Sequence, residues 1–319
     1  MMMSKVQPHV HEERRIVGRF APSPTGPLHL GSLVAAVGSY LMAKRGGGLW
    51  LLRMEDLDTP RVVPGMADDI LRTLEALGFQ WDGEVIRQSQ RTDAYQAALG
   101  RLMEKGLAYP CGCSRAEIAR IASAPHGKEG EPVYPGTCRH GLPPGKPPRA
   151  VRVRVTEEPI VFEDCIMGRV REALDRSCGD FVVRRADGPF AYHLAVVVDD
   201  AEQGVNQVVR GSDLLFSTPR QIYLQRLFGY KTPAYCHLPL VTGPGGAKLS
   251  KRDNAVSLSA GRDLCKDGGA LLLAALRFLG QSPPFPAAAP CREILAWGAA
   301  RFDAALVPQS PALFRMGCL

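Results

Sequence analysis

The chain has no run of about eighteen consecutive apolar residues, the length a helix needs to cross a bilayer. Its densest apolar stretch, ALLLAALRFLG (Ala270–Gly280), is short and broken by Arg277, so no transmembrane span is expected. The amino-terminal MMMSKVQPHVHEERR lacks an apolar h-region, which excludes a secretory signal and makes residues 1–14 a polar leader. Without an export signal, the odd count of nine cysteines points to a reduced, cytoplasmic protein. The thiols are then metal ligands or small core residues. There is no internal repeat, and no coiled-coil heptad or long apolar edge, so a monomer is expected.

What remains is ordinary in bulk. The 319 residues are 45% hydrophobic and 22% charged, enough for one large domain or two medium ones and unlike a disordered chain. The net charge of +7 favours a polyanionic partner.

Apolar spacing gives the architecture. RIVGRF is a β-rich run, and from Leu30 the apolar positions Leu30, Leu33, Val34, Val37, Tyr40 and Leu41 predict a helix ending at KRGGG. LWLLRMED predicts a second strand; ADDILRTLEALG and TDAYQAALGRLMEKG predict two more helices. Strand and helix alternate as in an α/β, doubly wound parallel sheet. The segment 109–150 is rich in Pro, Gly and Cys and reads as an insertion with little core of its own. VRVRV, IVFEDCIMGRV, FVVRRADG, QVVRG and HLPLVTG predict further strands, with a helix over TPRQIYLQRLFG. The remainder is mostly helical. The expected organisation is 15–108 as the first half of a catalytic domain, 109–150 as the insertion, 151–259 as the rest of the insertion and the second half of the catalytic domain, and a short helical segment at 260–319.

Two stretches carry chemistry. RFAPSPTGPLHLGSL (Arg19–Leu33) joins the first strand to the first helix, at the strand's carboxyl end. That is where open α/β sheets bind ligands. A helix starting near His29 offers free N–H groups and a dipole to an anion. Gly26, Gly31 and Ser32 let a ligand lie close to the backbone, Pro22, Pro24 and Pro27 stiffen the loop, and His29 adds a donor for phosphate. GGAKLSKRDN places Lys248, Lys251 and Arg252 behind two glycines, suited to charge moving over phosphate oxygens.

HLGS (His29–Ser32) and KLSKR (Lys248–Arg252) resemble the two signature motifs of class I aminoacyl-tRNA synthetases. With LRMEDLDTPR, AYHLAVVVDD and VVRGSDLL between them, the chain from Arg15 to the early 260s resembles glutamyl-tRNA synthetase catalytic domains. The resemblance implies a Rossmann-like domain that makes glutamyl-adenylate and pyrophosphate from L-glutamate and ATP, with Mg²⁺ accompanying the ATP. It implies that Arg19 receives a substrate carboxylate, flanked by Ala21 and Ser23; that Glu55 holds the ammonium; and that Tyr192 and Arg210 complete the glutamate pocket. It sets Thr25, Gly26, His29, Gly31, Lys248 and Lys251 against ATP, with His29 and Lys251 as the catalytic pair.

Cys111 and Cys113 form a C-x-C pair, and Cys138 follows after a Pro/Gly-rich loop. Thiolates suit zinc, and a structural zinc wants four ligands. On chemistry alone His126 and His140 are conventional choices for the fourth. CGCSRAEI…YPGTCR resembles the zinc insertion of this synthetase group, which implies one structural zinc on Cys111, Cys113, Tyr134 and Cys138. Cys165, Cys178, Cys236, Cys265, Cys291 and Cys318 show no ligand spacing.

Three function classes fit these motifs: a glutamyl-tRNA synthetase charging a tRNA 3′ end, a synthetase-like enzyme with another acceptor, and a non-catalytic RNA- or metal-binding module. The retained Arg19, His29, Glu55 and Lys251 argue against the third. Residues 260–319 are too few for an anticodon-binding domain with its own core. This truncated layout resembles the glutamyl-Q tRNA(Asp) synthetases, which implies that activation needs no tRNA and that the acceptor is queuosine in the anticodon loop of tRNA(Asp).

Overall fold

The computed structural model describes residues 15–121, 133–242, 257–258 and 262–313. In chain order β1 (Val17–Phe20), α1 (Leu30–Lys44), β2 (Leu49–Met54), α2 (Met66–Ala76), β3 (Ile86–Arg87) and α3 (Thr92–Glu104) make the first alternating unit. The middle follows with β4 (Ala108–Cys111), α4 (Arg115–Ile121), β5 (Ala150–Val153), β6 (Ile160–Asp164), β7 (Gly168–Glu172), α5 (Leu174–Ser177) and β8 (Val182–Arg184). Then come α6 (Tyr192–Glu202), β9 (Gln207–Gly211), α7 (Thr218–Phe228), β10 (Ala234–Leu238) and β11 (Val241–Thr242). The described chain closes with α8 (Leu264–Phe278), α9 (Cys291–Arg301) and β12 (Ala312–Leu313).

The predicted parallel sheet is present. β1, β2 and β3 pair in parallel, as do β9, β10 and β6, while β7 turns back antiparallel on β6 as an edge. β1 and β9 lie side by side but belong to separate hydrogen-bonded sheets. Asn206 ties them at their start: its side chain accepts from Val17 N and donates to Arg15 O, both at 2.9 Å, and its own N–H reaches Val17 O at 3.0 Å. The carboxyl ends beyond this tie form a crevice at the change of strand order, the position where such sheets take ligands.

Helix α1 fills the centre. Leu33, Val34 and every residue from Ala36 to Ala43 are buried, because β1, β2, β9 and β10 lie against it on one side and α8 and α9 on the other. A one-faced apolar stripe predicts less burial than this. The C-terminal helices are therefore part of the main core: Leu271, Leu272, Leu276, Ile294 and Leu295 join Leu33, Val37 and Leu41 in one cluster. A second cluster lies under α3, α6 and α7, and a small third one holds Tyr109, Cys111, Cys113, Ile118, Tyr134 and Cys138. An antiparallel sheet, β4–β5–β8, brackets that third cluster.

Two elements differ from the sequence reading. HLPLVTG is not one strand: β10 ends at Leu238, and β11 pairs separately with β12. Pro239 sits between them and has no N–H for a continuing ladder. YHLAVVVDDAE, to which the apolar spacing assigns no element, is α6. It is buried from Leu194 to Asp200 and so lacks the polar face that marks a surface helix. Among the described residues, no helix is long and apolar enough to cross a membrane.

Candidate active site

A cleft of about 370 Å³ opens between the carboxyl ends of β1 and β9. Arg19, Ala21, Ser23, Thr25, His29, Gly31, Glu55, Tyr192 and Arg210 all line it, residues drawn from four separated stretches of the chain. Gly26 does not line it. Lys248, Lys251 and Arg252, together with His126 and Cys318, lie outside the described residues. Leu258, just beyond the KLSKR stretch, packs in the core and donates its N–H to Leu28 O at 2.9 Å, one residue before His29.

Each side chain has a local reason for its place. His29 is the N-cap of α1, its Nδ1 accepting from Ser32 N at 3.3 Å. A Cβ at Gly31 would stand 3.0 Å from His29 Cε1, so glycine makes room for the ring. Glu55 follows β2, with its N–H on Pro22 O at 3.0 Å, which fastens the strand end to the loop. Tyr192 opens α6, and its hydroxyl accepts from Arg210 Nη1 at 3.3 Å.

Behind the cleft stands a charge network absent from the sequence reading. Arg53, fully buried in β2, donates from Nη2 to Asp200 Oδ1 at 2.7 Å and from Nη1 to Gln203 Oε1 at 2.7 Å. It also stands 3.8 Å from Glu55 Oε1 and 3.8 Å from Asp199 Oδ2. Arg19 Nε reaches the same Asp200 oxygen at 3.2 Å. Asp199 is held in turn by Gln88 at 2.7 Å, Arg91 at 2.6 Å and the Tyr95 hydroxyl at 2.8 Å. Burial works to raise Asp200, but Arg19 and Arg53 hold it below the usual carboxylate range. Glu55 goes the other way: burial pushes it up to about 7, with Arg53 and Arg19 pulling back. The cleft thus presents two guanidiniums, Arg19 and Arg210, beside a carboxyl poised to change charge near neutrality. The signal for the network is a charged residue inside an apolar strand (Arg53) and an acidic pair inside an apolar helix (Asp199, Asp200). Buried charges of this kind require partners.

A second, larger cavity of about 810 Å³ lies next to the first. Ala191 and His193 line it, while Tyr192 between them lines the cleft. Arg115, Arg149, Arg152, Arg185 and Arg220 are on its walls.

The cysteine group is assembled. The Sγ atoms of Cys111, Cys113 and Cys138 are buried and lie within 4.8 Å of one another. Cys113 and Cys138 are 3.6 Å apart. A tetrahedral zinc with Zn–S of about 2.3 Å sets its sulfurs roughly 3.8 Å apart, so the spacing fits. Tyr134 OH stands 3.4 Å from Cys111 Sγ and accepts from Cys138 N at 2.9 Å. Gly179, at φ +65°, lies where a Cβ would be 2.3 Å from Tyr134 O, which lets the tyrosine backbone dock against it. His140 is exposed and is not in the group. Arg152 donates from Nε to Cys111 Sγ at 3.3 Å and stacks 3.8 Å from the Tyr134 ring centroid. These are the outer contacts expected around a thiolate site.

The family model for tRNA synthetases class I (E and Q), catalytic domain, matches residues 15–287. A curated relative from Geobacter sulfurreducens, named glutamyl-Q tRNA(Asp) synthetase, is 69% identical over 300 residues, covering 94% of this chain and 96% of its own length. One of the same name from Dechloromonas aromatica is 60% identical over 284 residues, covering 89% of each. Among solved structures, a glutamate-tRNA synthetase from Elizabethkingia anophelis aligns with a TM-score of 0.78 at 28% identity, over 95% of this chain and 68% of that one.

Proposed function

Since the chain belongs to the class I tRNA synthetases of the E and Q type, we propose that it activates L-glutamate with ATP and transfers the glutamyl group to queuosine in the anticodon loop of tRNA(Asp). The observation that carries this is the convergence of Arg19, Glu55, Tyr192 and Arg210 with the His29 helix start in one cleft. The names of the relatives, which match along most of their length, support the choice of acceptor.

Glutamate brings two carboxylates and one ammonium. Arg19 and Arg210 are suited to the carboxylates, and Glu55 to the ammonium. Held this way, a glutamate α-carboxylate oxygen attacks the α-phosphorus of ATP. The bond from the α-phosphorus to the α,β-bridging oxygen breaks, giving glutamyl-adenylate and pyrophosphate. No protein nucleophile is needed, so catalysis is positioning plus charge stabilisation. His29 and the first N–H groups of α1 stabilise the α-phosphate. Thr25 and Gly31 border the nucleotide, with Gly26 in the same loop, and Lys248 and Lys251 take the charge developing on pyrophosphate. Mg²⁺ accompanies the nucleotide. A hydroxyl of the queuosine cyclopentenediol then attacks the adenylate carbonyl, releasing AMP and leaving an ester. The arginine-lined cavity beside the cleft suits a single-stranded loop, whose splayed bases and phosphates proteins read well.

ATP–pyrophosphate exchange with glutamate and no RNA tests the activation half, and Glu55 gives it a pH signature. Only ionised Glu55 pairs with the ammonium, so proton and substrate compete. With its carboxyl near 7 in the free enzyme, the glutamate KM is flat at alkaline pH. It rises by up to about tenfold per unit as pH falls below that value. In Glu55→Gln the KM is high at every pH. A wild-type KM that does not change between about pH 5.5 and 8.5 contradicts the role.

Zinc fits the thiol group, with Cys111, Cys113, Tyr134 and Cys138 as ligands and a structural role in a segment with a small core. Purified protein is expected to carry about one zinc per chain. In Cys138→Ser the metal content falls well below that, and Tyr134→Phe loses zinc to a chelator faster than His140→Ala. Elemental analysis checks the first and a chelator competition the second. A metal-free wild type, or equal release from the last two variants, contradicts the ligand set.

A further inference from the structure

We propose that Asp164 and His237 are positioning residues for the glutamate site: Asp164 fixes the tautomer of His237, and the lone pair left on His237 Nε2 orients the Arg210 guanidinium. The inference rests on the reading of Arg210 as a glutamate-binding group.

The three residues form a row across three neighbouring parallel strands. Arg210 on β9 pairs in register with His237 on β10, while Asp164 ends β6 on the other side of β10, in register with Tyr235, and reaches His237 diagonally. All three are buried, and the row ends at the cleft. Asp164 Oδ2 is 2.6 Å from His237 Nδ1. Its Oδ1 accepts from His237 N at 3.1 Å, Ile166 N at 3.0 Å and Met167 N at 2.9 Å. A carboxylate that receives three backbone N–H groups is held ionised and can only accept, so the imidazole nitrogen facing its other oxygen, Nδ1, carries the proton. Burial tends to raise Asp164, but these contacts hold it below its ordinary value. Burial and Arg210 keep His237 neutral against the pull of Asp164.

Nε2 is then an acceptor, and Arg210 Nε donates to it at 3.1 Å. Arg210 Nη2 donates to Thr218 Oγ1 at 2.7 Å, and the threonine hydroxyl passes on to Leu214 O at 3.3 Å. Nη1 donates to Tyr192 OH at 3.3 Å. With the proton on Nδ1, the contacts of Arg210 Nε, Nη1 and Nη2 are all satisfied, and together they fix the plane of the guanidinium. The other tautomer sets an Nε2–H against the Arg210 Nε–H, two donors facing each other in a buried place.

Thr218 Oγ1 is also 3.1 Å from His237 Nε2, the spacing of a nucleophile–base–acid triad. Thr218 is fully buried and its oxygen is taken by Arg210, so it serves as a holder and not as a nucleophile.

The test is Asp164→Asn. The asparagine carbonyl can keep the loop N–H contacts, while its amide nitrogen becomes a donor toward Nδ1 and forces the Nε2–H tautomer. In ATP–pyrophosphate exchange the glutamate KM is expected to rise at least about tenfold, with the ATP KM within about twofold of wild type. In His237→Gln no tautomer exists, so adding Asp164→Asn to it raises the glutamate KM no further. A purely structural role for Asp164 gives additive losses in the double variant and overturns the proposal. Two-bond ¹⁵N–¹H correlation of histidine-labelled protein, assigned by the signal lost in His237→Gln, reads the tautomer directly. Nδ1–H in wild type supports the relay, and Nε2–H overturns it whatever the kinetics. Arg210→Ala separates the two levels. If it leaves the glutamate KM unchanged, the reading of the site fails. If it raises that KM while Asp164→Asn changes neither KM nor tautomer, the relay alone fails.

Discussion

Replacing Arg53 with methionine is expected to lower the melting temperature by about 10 °C or more. Methionine keeps most of the volume and removes the charge. What it leaves behind is the point. Asp200 loses its contact at 2.7 Å, and Glu55 and Asp199 lose the guanidinium 3.8 Å away. Asp199 and the Arg53 side chain are fully buried, and the Glu55 side chain is only 12% exposed. Removing one partner of a buried ion pair costs about 3–5 kcal/mol, because the other charge is stranded. In a domain of this size each kcal/mol moves the midpoint by roughly 2–4 °C. Arg226→Met is the control: its ion pair with Glu158, at 3.6 Å, is exposed on both sides, and its loss is expected to shift the midpoint by no more than about 2 °C. Scanning calorimetry of both variants checks the contrast. A shift for Arg53→Met as small as the control's contradicts the charge balance described for the site.

The same network marks the limit of what the sequence discloses. Periodicity places α1 from near His29 to the KRGGG stretch, against Leu30–Lys44 in the structure, because a helix that starts at a histidine cap and ends in Lys-Arg-Gly carries its own boundaries. It missed α6, because a helix buried on all sides has no polar face to set the period. The cleft residues Arg19, Glu55, Tyr192 and Arg210 were legible through their motifs. Arg53, Asp199, Asp200, Asp164 and His237 are not, since each sits in a largely apolar run and has its main partner far away in the chain. Only the pairing of β6, β9 and β10 brings Asp164, Arg210 and His237 into one row. The cysteine spacing marks the three thiols that the fold brings together. Burial of Tyr134 against Cys111 and exposure of His140 are tertiary facts.

The acceptor carries the largest expected difference in activity. The adenylate is the same whichever RNA accepts it, so the choice lies in which hydroxyl the protein brings to the carbonyl. Queuosine offers a diol on an exposed anticodon base, and the cavity beside the cleft proposed for glutamate, walled by Arg115, Arg149 and Arg220 and by the paired Arg185 and Asp187, is the proposed place for the phosphates around such a loop. A site that must place one particular hydroxyl rejects an analogue lacking it by several orders of magnitude. Transfer of labelled glutamate to tRNA(Asp) with and without queuosine, and to tRNA(Glu), is the most direct measurement. Label is predicted on queuosine-containing tRNA(Asp) at least about a hundredfold faster than on the other two, and unaffected when the 3′-terminal adenosine is removed. Label on tRNA(Glu) that vanishes with the terminal adenosine, and none on queuosine-containing tRNA(Asp), would contradict the account.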